Sequence, residues 1–128
     1  MPPQLAGNWT SFYEPSQATR NYTFNADGTA QLYNTGAYAM PGGCNWGTIT
    51  DSNGTVVVEG DKLTYYQTAG TQQTSQCGQQ KSEPAPTSAY SYRWSIESNG
   101  QLLLNDLNSQ SCIENPAWRT CQTLLDRK

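Results

Sequence analysis

The stretch Leu5-Ala6-Gly7-Asn8-Trp9-Thr10 governs how the rest of the chain is read. Gly7 stands two residues before Trp9, and Trp9-Thr10-Ser11-Phe12-Tyr13 has the aromatic and β-branched content of a strand. A large aromatic at the start of a first strand is a core residue in any β fold. In a closed barrel it can also plug one end and leave space above itself.

Beyond this strand the chain is a run of hairpins. Tyr22 and Phe24 share one face of a strand, with Asn21 and Thr23 on the other. Asn25-Ala26-Asp27-Gly28 then supplies the Asp-Gly pair of a tight turn, and Thr29 to Thr35 returns beside it. Residues 36–45, which carry Tyr38 and Met40, are long enough for a lid over a barrel mouth or a connector pinned by Cys44. Asp51-Ser52-Asn53-Gly54 reads as a turn between strands at Trp46–Thr50 and Thr55–Glu59. Leu63–Thr68 and Thr71–Cys77 are expected on either side of a break at Ala69-Gly70, and residues 78–88, with Pro84 and Pro86, read as a polar loop.

The clearest alternation comes next. Tyr90, Tyr92, Trp94 and Ile96 face one way, and Ser91, Arg93, Ser95 and Glu97 the other. After Ser98-Asn99-Gly100 the chain returns through Leu102 and Leu104 to Asp106. A loop over 108–116 and a last strand over Trp118–Leu125, or a short helical turn followed by a strand there, complete it. About eight to ten short strands in sequential order point to an all-β chain folded as a single antiparallel up-and-down barrel, since closure removes the exposed edges of a meander. Residues 1–4 read as a flexible leader and 5–128 as one domain.

Composition narrows the function classes. Charged residues are 13% of the chain, and the net charge is −3. The seven basic residues are scattered, so no nucleic-acid footprint forms. No apolar run is long enough to span a membrane. Mean hydropathy is −0.73, and eight Tyr and four Trp supply much of what an economical core needs. Four cysteines, Cys44, Cys77, Cys112 and Cys121, point to two disulfides and an oxidising compartment. Of the three connectivities we favour Cys44–Cys77 and Cys112–Cys121. A secreted or periplasmic protein whose leader has been removed is expected. Three sequons begin at Asn8, Asn21 and Asn53, a number that chance explains in a chain rich in Asn and Thr.

The chain has no histidine, which removes Ser-His-Asp, Cys-His and His-ligated metal chemistry. No phosphate-binding or dinucleotide-binding motif occurs, and neither a cofactor nor a metal is expected. Carboxylates remain. Glu14, Glu59, Asp106 and Glu114 are the ones worth watching, with Glu14 and Asp106 the catalytic candidates. A carboxylate facing an aromatic cavity would have a raised pKa and could serve as an acid or base. Solvated surface carboxylates are the commoner case.

Gly7-Asn8-Trp9 on a first strand, followed by antiparallel hairpins, resembles the lipocalin-like (calycin) barrels. The resemblance implies that Gly7 and Trp9 mark the closed end and that an arginine, here Arg119 near the last strand with Arg93 as second candidate, lies over Trp9. It covers most of the chain as topology and a few residues as motif. The inward aromatic row then gives the expected ligand set: Tyr22, Phe24, Tyr38, Met40, Tyr65, Tyr90, Tyr92 and Trp94. Inward tyrosine hydroxyls need partners, which favours a ligand with polar groups. The leading expectation is a binding protein, not an enzyme, holding a small aromatic or amphipathic molecule. A cofactor-free cyclase or isomerase using tyrosine hydroxyls and one carboxylate is the second. A protease inhibitor or other interaction protein, with a filled interior and a functional Cys112–Cys121 loop, is the third.

Overall fold

A computed structural model describes residues 1–13, 18–39 and 41–128. Its strands are β1 (Gly7–Tyr13), β2 (Ala18–Phe24), β3 (Thr29–Ala39), β4 (Asn45–Glu59), β5 (Lys62–Gln76), β6 (Gln79–Pro84), β7 (Ser88–Ile96), β8 (Leu102–Asp106) and β9 (Gln122–Arg127). One short helix, α1 (Gln110–Glu114), precedes the last strand. β1 pairs with β2 on one side and β9 on the other, while β4 pairs with β5. Eight strands therefore close into an antiparallel barrel in the order β1-β2-β3-β4-β5-β7-β8-β9, as expected from the hairpin run. β6 stands outside the ring and pairs only with the far half of β5.

The end at which β1 begins is sealed. Leu5, Trp9, Phe24, Leu63, Leu102 and Leu125 are each no more than 1% exposed, and burying a side chain of this size contributes about 2 kcal/mol. The Trp9 indole nitrogen donates to the Leu5 carbonyl at 2.9 Å, so the one polar atom of the plug is paired. Arg127 faces Trp9 across the β1–β9 ladder, its guanidinium 4.3 Å above the ring. The same guanidinium donates to the carbonyls of Ala6 at 2.9 Å and Gln4 at 2.7 Å, fastening the N-terminal turn over the opening. A β-carbon at residue 7 would stand 2.7 Å from Arg127 Nη1, and Gly7 has φ +131°, a conformation side chains rarely adopt. The Gly-x-Trp spacing is thus the footprint of a stacked arginine. That arginine is Arg127; the side chain of Arg119, expected in this role, lies outside the described residues.

β4 and β5 are each 15 residues long, more than the ring uses. Their upper halves, with the end of β3 and with β6, project beyond the last residues paired to β2 and β7. Cys44–Cys77 joins the residues just before β4 and just after β5, at the tip of this extension, at a Cα separation of 4.6 Å, and Cys112–Cys121 closes the segment holding α1 at 5.5 Å. Both pairings match the favoured connectivity.

Several local expectations give way to the structure. Asp51-Ser52-Asn53-Gly54 is not a turn: β4 runs straight through it, with a register shift between Asn53 and Gly54. At that bulge a β-carbon on residue 54 would overlap the Tyr66 carbonyl oxygen, so the glycine permits a close strand approach instead of a chain reversal. Ala69-Gly70 likewise lies inside a continuous β5. The polar loop over 78–88 contains β6, an edge strand whose Lys81 and Pro84 suit an exposed edge. Residues 36–39 belong to β3, which leaves little of the expected lid, and Met40 lies outside the described residues. At the last strand the alternative holds: a 3-10 turn at Arg119–Cys121 precedes a strand that starts at Gln122.

Gly7→Ala is expected to cost about 1–3 kcal/mol in urea unfolding, from the backbone conformation alone. Combined with Arg127→Ala, it should cost less than the sum of the two single changes, because the clash partner is gone. Strict additivity would show that the glycine and the arginine do not meet.

Candidate functional site

Above the sealed end the interior is open. A cavity of about 350 Å³ is lined by Arg20, Tyr22, Leu32, Asn34, Thr50, Gln67, Gln72, Pro86, Tyr90 and Tyr92. Alternate residues of a strand share a face, so β2 sends Arg20 inward on the same side as Tyr22 and Phe24. Register then builds a polar row across four strands: Arg20 opposes Asn34, Asn34 opposes Thr50, and Thr50 opposes Gln72. The phenols of Tyr22 and Tyr92 and the side chain of Leu32 lie with this row around the space.

Partners within the site are incompletely matched. Arg20 Nη1 donates to Thr123 Oγ1 at 3.0 Å. Among the described residues the ion pairs are Lys81–Glu83 and Arg93–Asp61, both exposed, and neither involves Arg20. Gln67 is buried and donates to the Pro86 carbonyl at 2.7 Å, which fixes one wall. Asn34 Oδ1 is buried without a hydrogen-bond partner among the described residues. An unpaired buried acceptor is costly and calls for an explanation. The other such atom, Asn105 Oδ1, is on β8 and is not among the cavity residues.

The tyrosines divide into two groups. Tyr22, Tyr90 and Tyr92 line the cavity. Tyr65 does not: it is buried, and its hydroxyl meets Ser52 Oγ at 2.9 Å. Phe24 belongs to the core of the closed end, and Trp94 packs against that core while donating to the Gly60 carbonyl at 3.0 Å. The side chain of Tyr38 lies outside the described residues. Alternation alone named Tyr22, Tyr90 and Tyr92. It could also have named Arg20, which keeps the same period as Tyr22 and Phe24, and Asn34, two residues beyond Leu32.

Burial pushes the Tyr22 phenol above its ordinary value of 10.0, against the opposing pull of the Arg20 guanidinium. Burial also raises Tyr92, with Tyr22 and the Asp106 charge adding to it. Tyr65 is also raised by burial, and its bond with Ser52 works against the shift. Near neutral pH these phenols are hydrogen-bond donors, not bases. Asp106, one of the two carboxylate candidates, opposes Tyr92 in the β7–β8 ladder, and its carboxylate accepts from the Asn108 amide at 2.6 Å. Glu14 lies outside the described residues, and Glu59 and Glu114 are exposed.

A second hollow of about 570 Å³ lies on the extension, among residues that include Gly36, Gly47 and Ile49. It is larger, but neither unpartnered buried atom borders it. No helix of the described residues is long and apolar enough to cross a membrane, and no group of metal-ligating side chains occurs among them.

The raised phenols carry a pH signature. Above pH 10 the folded state keeps protons that the unfolded chain releases, so their contribution to stability is complete below that pH and is lost as pH rises toward the folded values. Ultraviolet titration should show Tyr22, Tyr65 and Tyr92 ionising only after the exposed tyrosines, together with unfolding. Ionisation of all eight tyrosines in one step near pH 10 on a still-folded protein would contradict the burial of these phenols.

Searches against protein-family models, curated proteins and solved structures find no match to this chain.

Proposed function

We propose that this is a small-molecule-binding protein of the lipocalin-like type, secreted or periplasmic, that holds its ligand in the open half of the barrel. The observation that supports the reading is a polar-lined cavity above a sealed apolar floor. Arg20, Asn34, Thr50 and Gln72 are brought into one row by four different strands. The volume of about 350 Å³ is at the small end of the range for ligand pockets. An interior built only for stability would be filled by apolar side chains, as the closed end is. Two disulfides support an oxidising compartment. The same cavity argues against an interaction protein with a solid core.

An enzyme is the second reading, favoured by the position of Asp106 opposite Tyr92 and by two protonated phenols beside it. Binding is the stronger reading because Asp106 does not line the cavity and is engaged by the Asn108 amide.

Native mass spectrometry of the protein from its source is expected to reveal a co-purified small molecule. Leu32→Trp, which fills the cavity, should retain the β circular dichroism spectrum and lose that molecule. A wild-type protein with no bound mass, and no molecule removed by Leu32→Trp, would sink the reading. Conversion of the released molecule by wild type but not by Asp106→Asn would move the conclusion to the enzyme.

A further inference from the structure

β6 leaves one edge of the extension open, and we infer that this edge pairs with β6 of a second copy of the chain, about a twofold axis at Ser82. The inference does not depend on the cavity. Among the described residues β6 pairs with β5 alone, and every residue of Gln79–Pro84 is exposed. The ladder fixes which backbone groups of β6 face outward. In an antiparallel pair, alternate residues point toward the partner strand and away from it. The Ala85 amide donates to the Gly70 carbonyl at 3.0 Å. Glu83, Lys81 and Gln79 therefore address β5 as Ala85 does, and Gln80, Ser82 and Pro84 turn their backbone outward. The other side of β5 agrees. There the Cys77 amide donates to the Asn45 carbonyl at 3.1 Å, so the odd residues of this half of β5 address β4 and the even ones, Gly70 included, address β6. Pro84, which has no N–H, stands at an outward position, where the β5 ladder loses nothing by it.

Two copies can bond through this edge only where outward residues oppose outward residues. Charge then selects among the registers that align most of the strand. A register centred on Lys81 sets two ammonium groups opposite each other, and one centred on Glu83 sets two carboxylates opposite each other. Like charges so placed are destabilising. The register centred on Ser82 sets Lys81 of each copy opposite Glu83 of the other. These fall at the non-bonded positions of the new pair, where facing side chains come closest. Within one copy Lys81 Nζ and Glu83 Oε2 are 3.7 Å apart, an exposed pair that contributes little by itself. Pairing turns it into a ring of alternating charges. In the same register Ser82 exchanges both backbone bonds with its counterpart, and each Gln80 amide donates to the Pro84 carbonyl of the other copy. Only the bonds that Pro84 would have donated are missing.

The pattern selects its occupant. A lysine on an open edge deters strands at large. Here a glutamate two residues on answers it, but only for a strand that carries the same pattern in reverse. A second β6 does so by symmetry. Pairing of this kind is isologous, so it closes at a dimer instead of growing into a fibre. It carries the sheet formed by the ends of β3, β4, β5 and β6 across the axis into the other copy. The hollow of about 570 Å³ on the extension has Gln80 and Ser82 in its lining, so the hollows of the two copies meet at the axis.

Sedimentation equilibrium of the wild-type protein is expected to show a reversible monomer–dimer equilibrium at concentrations up to about 1 mM. Lys81→Glu and Glu83→Lys each bring like charges together on both sides of the axis and should weaken the dimer about tenfold or more. The double exchange K81E/E83K restores opposite charges and should recover the wild-type dissociation constant. An equimolar mixture of the two single variants should form a heterodimer, because one then carries glutamate and the other lysine at both positions. Recovery in that mixture excludes misfolding as the cause of the loss. Ser82→Pro removes an outward N–H that β5 does not use, so it should abolish the dimer and keep the β circular dichroism spectrum. A wild-type protein that stays monomeric at about 1 mM overturns the proposal, whatever foreign strand the edge then accepts. So does a dimer that persists unchanged in Lys81→Glu or in Ser82→Pro, which would place the contact elsewhere, and so does a mixture of the single variants that fails to pair.

Discussion

The contact between Arg127 and Trp9 holds the barrel shut. It joins the first strand to the last, and so it is made only when the ring closes. One guanidinium stacks on the plug and bonds two carbonyls of the N-terminal turn, which holds Leu5 beneath Trp9. Gly7 is the space that this guanidinium occupies. Sealing one end in this way leaves the open space at the other. Apolar burial is concentrated at the sealed end, and polar side chains are left to line the other.

That division explains the unusual composition. With so few charged residues and a low mean hydropathy, the chain cannot fill an entire barrel with aliphatic side chains. It fills half. Aromatic residues carry the transition: Phe24 and Tyr65 are fully buried, while Tyr22 and Tyr92 line the cavity. The fully internal Ser52–Tyr65 pair shows how a polar group is satisfied in this core. Asn34 on the same wall is not so satisfied. The disulfides act elsewhere. Cys44–Cys77 ties the tip of the extension, whose strands lack ring neighbours to hold them, and Cys112–Cys121 ties the irregular segment before β9.

Much of this was legible from residues alone, and the failures share a physical cause. Strict alternation at Tyr90, Tyr92 and Trp94 identified β7 and its inward face, because a pleated strand exposes alternate residues to one side. Asp27-Gly28 identified a true turn, and Asp27 Oδ1 accepts from the Thr29 amide and hydroxyl there. Asn53-Gly54 carries the same local signature and is a bulge. Both sites need glycine, one for a reversal and one for the close approach of Tyr66, and local sequence does not separate these needs. Nor does it separate Arg119 from Arg127, since the stacking partner of Trp9 is chosen by the register of β9 against β1.

Residue order was enough for the fold class, the inward face of most strands, the favoured cysteine pairing and the absence of histidine chemistry. These rest on period-two patterning, turn residues and residue inventory, which are local properties of a chain. Long-range pairing settled which strand closes on which, where the plug sits and which polar side chains meet. Arg20, Asn34, Thr50 and Gln72 lie on four strands and become neighbours through ladder register alone. That register depends on contacts between distant segments and on one bulge, and a shift of a single residue would turn each of these side chains to the outside.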